Sequence, residues 1–211
     1  MTLNTHEEGR DIVAILKSNL VECSLPLWST EGWDGVAGGF VERLDEYGKA
    51  DLIAPRRVRV QARQIYCYAK AAHLGWYPAG REIALKGLDY LVGRAKSPDG
   101  RPGFVHLLAP DGAVLNFLRD TYDHAFVLLA LATVYRLTEE PQVKAEFEEI
   151  LAFLDSSLRS PNGGFLEGRP SALPRRQNPH MHLFEAMIEL FDATHELSYQ
   201  NRAGEIFSLF V

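Results

Sequence analysis

The chain has 211 residues, of which 46% are hydrophobic, and a formal net charge of −6 at pH 7. This length suits one compact domain with an ordinary core, and the acidic balance argues against a nucleic-acid-binding surface. No apolar run approaches the roughly 18 residues that a membrane-spanning helix needs, and the polar N-terminus lacks the apolar segment of a secretory signal. With two cysteines and no C-x-x-C pair, we expect a soluble cytoplasmic protein without nucleic-acid or membrane partners.

Helical periodicity dominates the sequence. It predicts seven helices, over residues 6–22, 57–74, 80–96, 121–138, 141–158, 179–196 and from about 201 to the end of the chain. Pro141 and Pro179 stand at the first positions of two of these helices, where a missing N–H costs no hydrogen bond. The second, fourth and sixth helices are the most apolar, whereas the third and fifth carry more charge.

Three short segments that begin with Gly-Phe predict small β-hairpins between the helices, over residues 38–45, 103–108 and 163–168. Their glycines Gly39, Gly103 and Gly164 are 64 and 61 residues apart. Each segment is followed by an apolar helix and then by a more charged one. The sequence therefore contains an internal repeat with a period of about 60 residues.

Apolar helices alternate with helices that are solvent-exposed on one face, which predicts an inner and an outer layer of helices. The fold class that we predict is all-α: an incomplete (α/α)6 toroid, or barrel, of about three helix pairs with short β-hairpins between them. Closing a ring of six such pairs takes about 360 residues at this period, so the chain is long enough for half of it.

Polar residues recur near the start of the three apolar helices, where the cleft of an α/α toroid lies. They are Arg63, the trio Tyr122, Asp123 and His124, and the group His180, His182 and Glu185. Arg63, His124 and His182 are 61 and 58 residues apart. This spacing predicts that each of the three repeats contributes one polar residue to a common layer. The alternative is that such buried groups only tie helix ends to loops and to one another.

The two histidines of the last group allow a metal site or an acid–base site. A helical H-x-H pattern places His180 and His182 about 200° apart around the axis, so the two cannot easily face one cation. No third ligand has metal-site spacing, and we expect neither a metal nor another cofactor. His182 and Glu185 share a helix face, and a histidine oriented by a carboxylate suits proton transfer at a carbon next to a carbonyl. Arg63 suits the binding of a hydroxyl or enediolate oxygen.

Four motifs follow one another along the chain: GGFVERLDEYG, RVRVQARQIYCYA, TYDHAFVLLALA, and GGFLEG with QNPHMHLFEAMIELFDAT. Together they resemble the N-acylglucosamine 2-epimerase family of sugar epimerases and aldose–ketose isomerases, which includes mannose isomerases and cellobiose 2-epimerases. The resemblance implies an (α/α)6 barrel without an obligatory metal, acting through an enediol at C1/C2 of a free aldose or N-acylhexosamine. Because family members are much longer, it implies that residues 1–211 form a single domain, the N-terminal half of that barrel.

Site residues follow from the resemblance where the motifs match. Arg63 resembles the substrate-contacting arginine, and Tyr122 resembles a pocket aromatic. Asn178 and His182 resemble pocket residues that bind the sugar and assist proton transfer. We therefore predict His182 as a catalytic residue and a substrate-binding set of Arg63, Tyr122, Asn178, His182 and Glu185.

This sequence differs from the family's pattern in two respects. Arg59 stands where relatives often carry a pocket tryptophan, and the family's two principal acid–base histidines lie in a second half that is not in this sequence. The expected partners are a monosaccharide or small sugar, and either a second copy of the chain or a C-terminal half that covers the inner faces. Two other functions stay open: a glycoside hydrolase that uses Asp123 and Glu185, and a non-catalytic half-barrel that binds a sugar or a protein.

Overall fold

The computed structural model describes the backbone of residues 5–211 and the side chains from residue 12 onward. In this part of the chain there are eight α-helices: α1 Thr5–Asn19, α2 Leu25–Thr30, α3 Val58–His73, α4 Gly80–Ala95, α5 Thr121–Thr138, α6 Pro141–Phe153, α7 Gln177–Thr194 and α8 Leu197–Phe207. π-helical turns follow α1 at Leu20–Ser24 and α6 at Leu154–Leu158. The short α2 was not predicted, and the other helices begin within a few residues of their predicted positions.

The helices form two layers. The inner helices α3, α5 and α7 pack side by side, and each of the outer helices α4, α6 and α8 packs against the inner helix that precedes it. The central helix α5 is apolar on all sides, and every residue from Asp123 to Val134 is buried. The predicted all-α fold class, an incomplete toroid of three helix pairs, is confirmed.

None of the helices within residues 5–211 combines the length and the hydropathy that crossing a bilayer requires.

The β-structure differs from the predicted hairpins. The described strands are β1 Arg56–Arg57, β2 Leu107–Leu108, β3 Val114–Asn116, β4 Arg119–Asp120 and β5 Gly168–Arg169. The segment 38–45 contains only isolated bridges, and β2 with β3 forms a local hairpin. The pairs β1–β2 and β4–β5 instead join the residues just before one inner helix to the loop of the next repeat. These strand pairs therefore hold successive helix pairs together around the arc.

A buried side chain in the first turns of each inner helix accepts a hydrogen bond from the Phe amide of the preceding Gly-Phe loop. Gln61 accepts from Phe40 at 2.8 Å, His124 from Phe104 at 2.9 Å and His180 from Phe165 at 2.9 Å. We call these three the pinning residues. The alternative in which polar groups tie helix ends to loops is thus correct for His124 and His180.

An arginine also forms hydrogen bonds to each of the three Gly-Phe loops. Arg56 donates to Asp34 and to the Gly38 carbonyl, and its side chain is 1% exposed. Arg119 and Arg175 hold the next two loops through Asp99 and the Gly163 carbonyl. Each of these arginines lies five positions before the pinning residue of its repeat.

The pinning residues define the register of the repeat. Gln61, His124 and His180 are 63 and 56 residues apart, and so are the three loop-binding arginines. The same offsets make Arg63 equivalent to Phe126 and His182. The predicted layer of Arg63, His124 and His182 is therefore wrong, because His124 belongs to the pinning layer.

The pinning role of His124 predicts a graded effect of substitution. Its Nδ1 donates to the Asp120 carbonyl at 2.7 Å, and burial lowers the pKa of His124 to about 4, so the ring is neutral. We expect His124→Leu to lower the free energy of unfolding by about 1–3 kcal/mol, because the buried Phe104 N–H loses its acceptor. His124→Gln should cost less, since Gln61 makes this bond in the first repeat. Chemical denaturation measures both variants, and equal losses would contradict the pinning role.

Candidate functional site

The first turns of the inner helices carry two sets of equivalent positions that lie one turn apart. The mouth level consists of Arg59, Tyr122 and Asn178, and the inner level consists of Arg63, Phe126 and His182. Each residue of the mouth level lies four positions before its partner of the inner level, so the two share a helix face. Four of the five predicted site residues fall on these two levels.

The inner level forms a continuous contact between the three helices. The guanidinium carbon of Arg63 lies 4.1 Å from the ring centroid of Phe126, and the centroids of Phe126 and His182 are 4.4 Å apart. The Nη2 of Arg63 donates to the hydroxyl of Tyr122 at 2.9 Å, and the rings of Tyr122 and His182 are 5.2 Å apart. The structure therefore brings Arg63, Tyr122 and His182 together at one end of the inner layer.

His182 forms an imidazole–carboxylate pair with Glu185. The Nδ1 of His182 lies 2.6 Å from Oε2 of Glu185, and the two side chains are 15% and 51% exposed. An ionised carboxylate only accepts hydrogen bonds, so Nδ1 carries the proton. In the neutral ring the other nitrogen, Nε2, then carries a lone pair that can accept a proton.

Asn178 is the predicted site residue that the structure leaves apart from the others. Its side chain is exposed, and it lies one helical turn before His182 at the start of α7. Its side chain makes no hydrogen bond with any residue of the range 12–211. The role of Asn178, like the roles of the other four residues, stays a prediction.

A buried carboxylate supports the mouth level through two partners that have no signal in the sequence. Asp123 is fully buried, and its Oδ1 accepts from Nη1 of Arg59 at 3.0 Å. Its Oδ2 lies 2.6 Å from Nδ1 of His106, which follows the Gly-Phe pair of the second loop. The guanidinium carbon of Arg59 lies 5.3 Å from the ring centroid of Tyr122. Asp123 therefore fixes Arg59 beside the Tyr122 ring.

The group His106, Asp120 and Asp123 has the composition of a metal site, and their ligand atoms lie within 4.8 Å of one another. However, both oxygens of Asp123 are hydrogen-bonded, and Arg59 already supplies a positive charge there. Asp120 caps α5 by accepting the Tyr122 amide at 2.7 Å. These contacts favour a hydrogen-bonded network over a metal site, and the absence of a metal stays a prediction.

A cavity of about 910 Å³ is lined by none of these three residues. It is lined by residues of the 101–119 loop, by the end of α6 with its π-helical turn, and by the start of the 169–170 segment. No imidazole or carboxylate lines it, and Arg119 is already bonded to Asp99 and to loop carbonyls. The imidazole and carboxylate groups of the candidate site lie instead near the starts of the inner helices.

The pair of His106 and Asp123 predicts a specific pH dependence of stability. The hydrogen bond with Asp123 raises the pKa of His106 above its usual value. Its contribution is then fully present below the pKa of an unfolded histidine, about 6.5, and is lost as the pH rises through the folded value. We expect His106→Gln to cost about 1–2 kcal/mol near pH 6 and less near pH 9, measured by chemical denaturation. His73→Gln, at an exposed position of α3, is the control, and a cost that grows with pH would contradict the pairing.

Comparison with known proteins places these features in one family. The family model described as N-acylglucosamine 2-epimerase (GlcNAc 2-epimerase) matches residues 38–211. The chain is 37% identical over 210 residues to a protein of Rhizobium meliloti (strain 1021) named mannose-6-phosphate isomerase, covering 98% of this chain and 52% of that protein. It is 30% identical over 149 residues to the D-mannose isomerase of Thermobifida fusca, covering 68% of this chain and 36% of that protein.

Solved structures show the same fold. Cellobiose 2-epimerase from Spirochaeta thermophila DSM 6192 superposes with a TM-score of 0.89 at 23% identity, covering 99% of this chain and 55% of that one. A GH76 α-mannanase from Bacteroides thetaiotaomicron superposes with a TM-score of 0.68 at 14% identity, covering 88% of this chain and 48% of that one. The chain thus spans about half the length of the first of the relatives. The family match over most of the chain shows that it belongs to the N-acylglucosamine 2-epimerase family.

Proposed function

We propose that this chain supplies the substrate-binding wall and one acid–base group of a carbohydrate epimerase or isomerase that acts at C1/C2 of an aldose. The observation that carries the proposal is the contact of His182, oriented by Glu185, with the aromatic side chains that also contact Arg63. This arrangement puts a proton acceptor, an oxygen-binding cation and aromatic faces for a sugar at one place.

The proposed reaction moves a proton between the sugar and His182. Nε2 of His182 takes the proton from C2 of the open-chain aldose, the electron pair forms the C1–C2 double bond, and O1 becomes an enediolate oxygen. Arg63 donates to that oxygen through the N–H groups that Tyr122 does not use. Return of this proton from His182 to C1, with transfer of the O2 proton to O1, gives the ketose. The epimer forms when an acid on the opposite face, supplied by the other half of the barrel, protonates C2 and His182 releases its proton to water.

The names of the relatives support a mannose-type aldose. Two of them are named as isomerases of D-mannose, and a third as an isomerase of mannose 6-phosphate. Both names describe an aldose–ketose exchange at C1 and C2, so they agree on the reacting carbons. They differ in whether the sugar carries a phosphate.

The geometry gives less support to a glycoside hydrolase. That chemistry needs two carboxyl groups on either side of a glycosidic bond. Asp123 is fully buried with both oxygens engaged, and Glu185 is paired with His182. The likeness to the GH76 α-mannanase, at 14% identity, shows the fold alone.

We also propose that residues 1–211 act as one half of an (α/α)6 barrel, together with a C-terminal half or a second copy of the chain. In support, Ile12, Ile15 and Leu16 of α1 are each more than half exposed, and the inner helix α7 exposes Ile188. Exposed apolar side chains of this kind favour a covering partner. The free thiols of Cys23 and Cys67 agree with a cytoplasmic location.

The proposal predicts a specific pattern of isotope exchange. One base can remove and return the C2 proton only from a single face, so the chain at stoichiometric concentration should exchange C2 of D-mannose in deuterated water faster than it forms the epimer D-glucose. Proton NMR of the recovered sugar measures both rates. We expect His182→Gln to lower the exchange rate by about 100-fold or more, because it removes the base.

His73→Gln, which changes an exposed histidine at the far end of α3, is the matched control and should leave the exchange rate unchanged. Cleavage of a manno-oligosaccharide without exchange would favour the hydrolase. Sugar binding with neither exchange nor cleavage would favour a non-catalytic half-barrel. Either outcome contradicts the proposed function.

A further inference from the structure

Two guanidinium groups of α3 flank the ring of Tyr122 at different depths. The guanidinium carbons of Arg59 and Arg63 lie 5.3 Å and 5.9 Å from its ring centroid. Four residues of an α-helix rise by about 6 Å, so the two cations stand one above the other on a common face. Arg63 lies level with His182, and Arg59 lies nearer the mouth.

Carboxylates leave several N–H donors of these two arginines unused. Asp123 is shared between Arg59 and His106, and Arg63 makes no ion pair with any residue of the range 12–211. Two other nearby carboxylates bond elsewhere: Asp120 accepts from the Tyr122 amide, and Glu185 pairs with His182. The unused guanidinium donors, together with the N-terminus of α3, favour an anion on the α3 side of the site.

Arg59 is fixed by Asp123 and keeps N–H donors that can bind an anion. A guanidinium group has five N–H donors, and Arg59 uses Nη1 for Asp123. Its side chain is 18% exposed, so its charge is partly shielded from water and interacts more strongly than a free surface charge. A planar, fixed guanidinium suits the oxygens of a phosphate, which it can bind through two parallel hydrogen bonds.

We propose that the mouth level is a phosphate subsite and that the substrate is an aldose phosphate, with Arg59 as the residue that selects it. This inference rests on the proposed function, which places the reacting carbons C1 and C2 at Arg63 and His182. A hexose bound there extends along α3 for about one helical turn, which brings a phosphate on its far end to Arg59. Asp123 and His106 act as positioning residues that hold Arg59 in this place.

The test is a comparison of dissociation constants for D-mannose 6-phosphate and D-mannose, measured by calorimetry on this chain. We expect the phosphate ester to bind at least about tenfold more tightly, with the preference falling as salt is added. Inorganic phosphate should compete with the ester and not with D-mannose. Arg59→Gln should reduce the preference for the phosphate ester over D-mannose to less than about threefold.

Two further variants serve as controls. Arg57→Gln removes the same charge two positions away, where the side chain pairs with Glu42, and should leave the preference intact. Arg59→Lys keeps a charge for Asp123 but loses the planar fork, and should keep part of the preference even if Arg59→Gln fails to fold. Thermal unfolding of each variant checks its fold.

Equal affinity for the two sugars, or a preference that survives loss of Arg59, would overturn the phosphate subsite. If D-mannose still binds and exchanges at C2 in that case, the proposed function stands. If neither sugar binds, both proposals are overturned.

Discussion

The hydrogen bond from the Phe104 amide to the buried imidazole of His124 is the interaction on which this arrangement depends. It ties the loop that enters the second repeat to the start of α5, and Gln61 and His180 do the same for the repeats on either side. A loop amide buried without an acceptor is costly, so each helix has one favoured rotation relative to its loop. That rotation turns the positions two residues beyond the pinning residue toward a common place. Arg63, Phe126 and His182 occupy those positions.

The candidate site residues therefore occupy equivalent positions of the same repeat that builds the fold. These positions do not take part in the hydrogen bonds between loops and helices. Phe126 gives the central position to a hydrophobic ring that both Arg63 and His182 contact. Tyr122, one turn nearer the mouth, contacts both. Because the pinning residues already satisfy the loops, the partly exposed side chains of Arg63, Tyr122 and His182 are available to a ligand, whereas Phe126 is buried beneath them.

Much of the fold could be predicted from the sequence, because the apolar helices, their prolines and the Gly-Phe loops are local signals. The strand pairs could not, since β1 and β2 are two residues each and pair across a whole helix pair. The site was predicted in part. Arg63 and His182 were identified, but the assumed register joined them to His124, because a spacing near 60 does not distinguish offsets of 61 and 58 from the observed 63 and 56. The partnership of His106 with Asp123 leaves no sequence signal.

His182 on the one hand, and His124 and His180 on the other, have different roles if His182 faces a sugar and the other two serve the fold. NMR of the histidine ring carbons during a titration with D-mannose and its 6-phosphate separates these roles. We expect the His182 signal to shift until the site is saturated and the His124 and His180 signals to stay in place. Shifts at His124 or His180 with none at His182 would show that the roles are assigned wrongly.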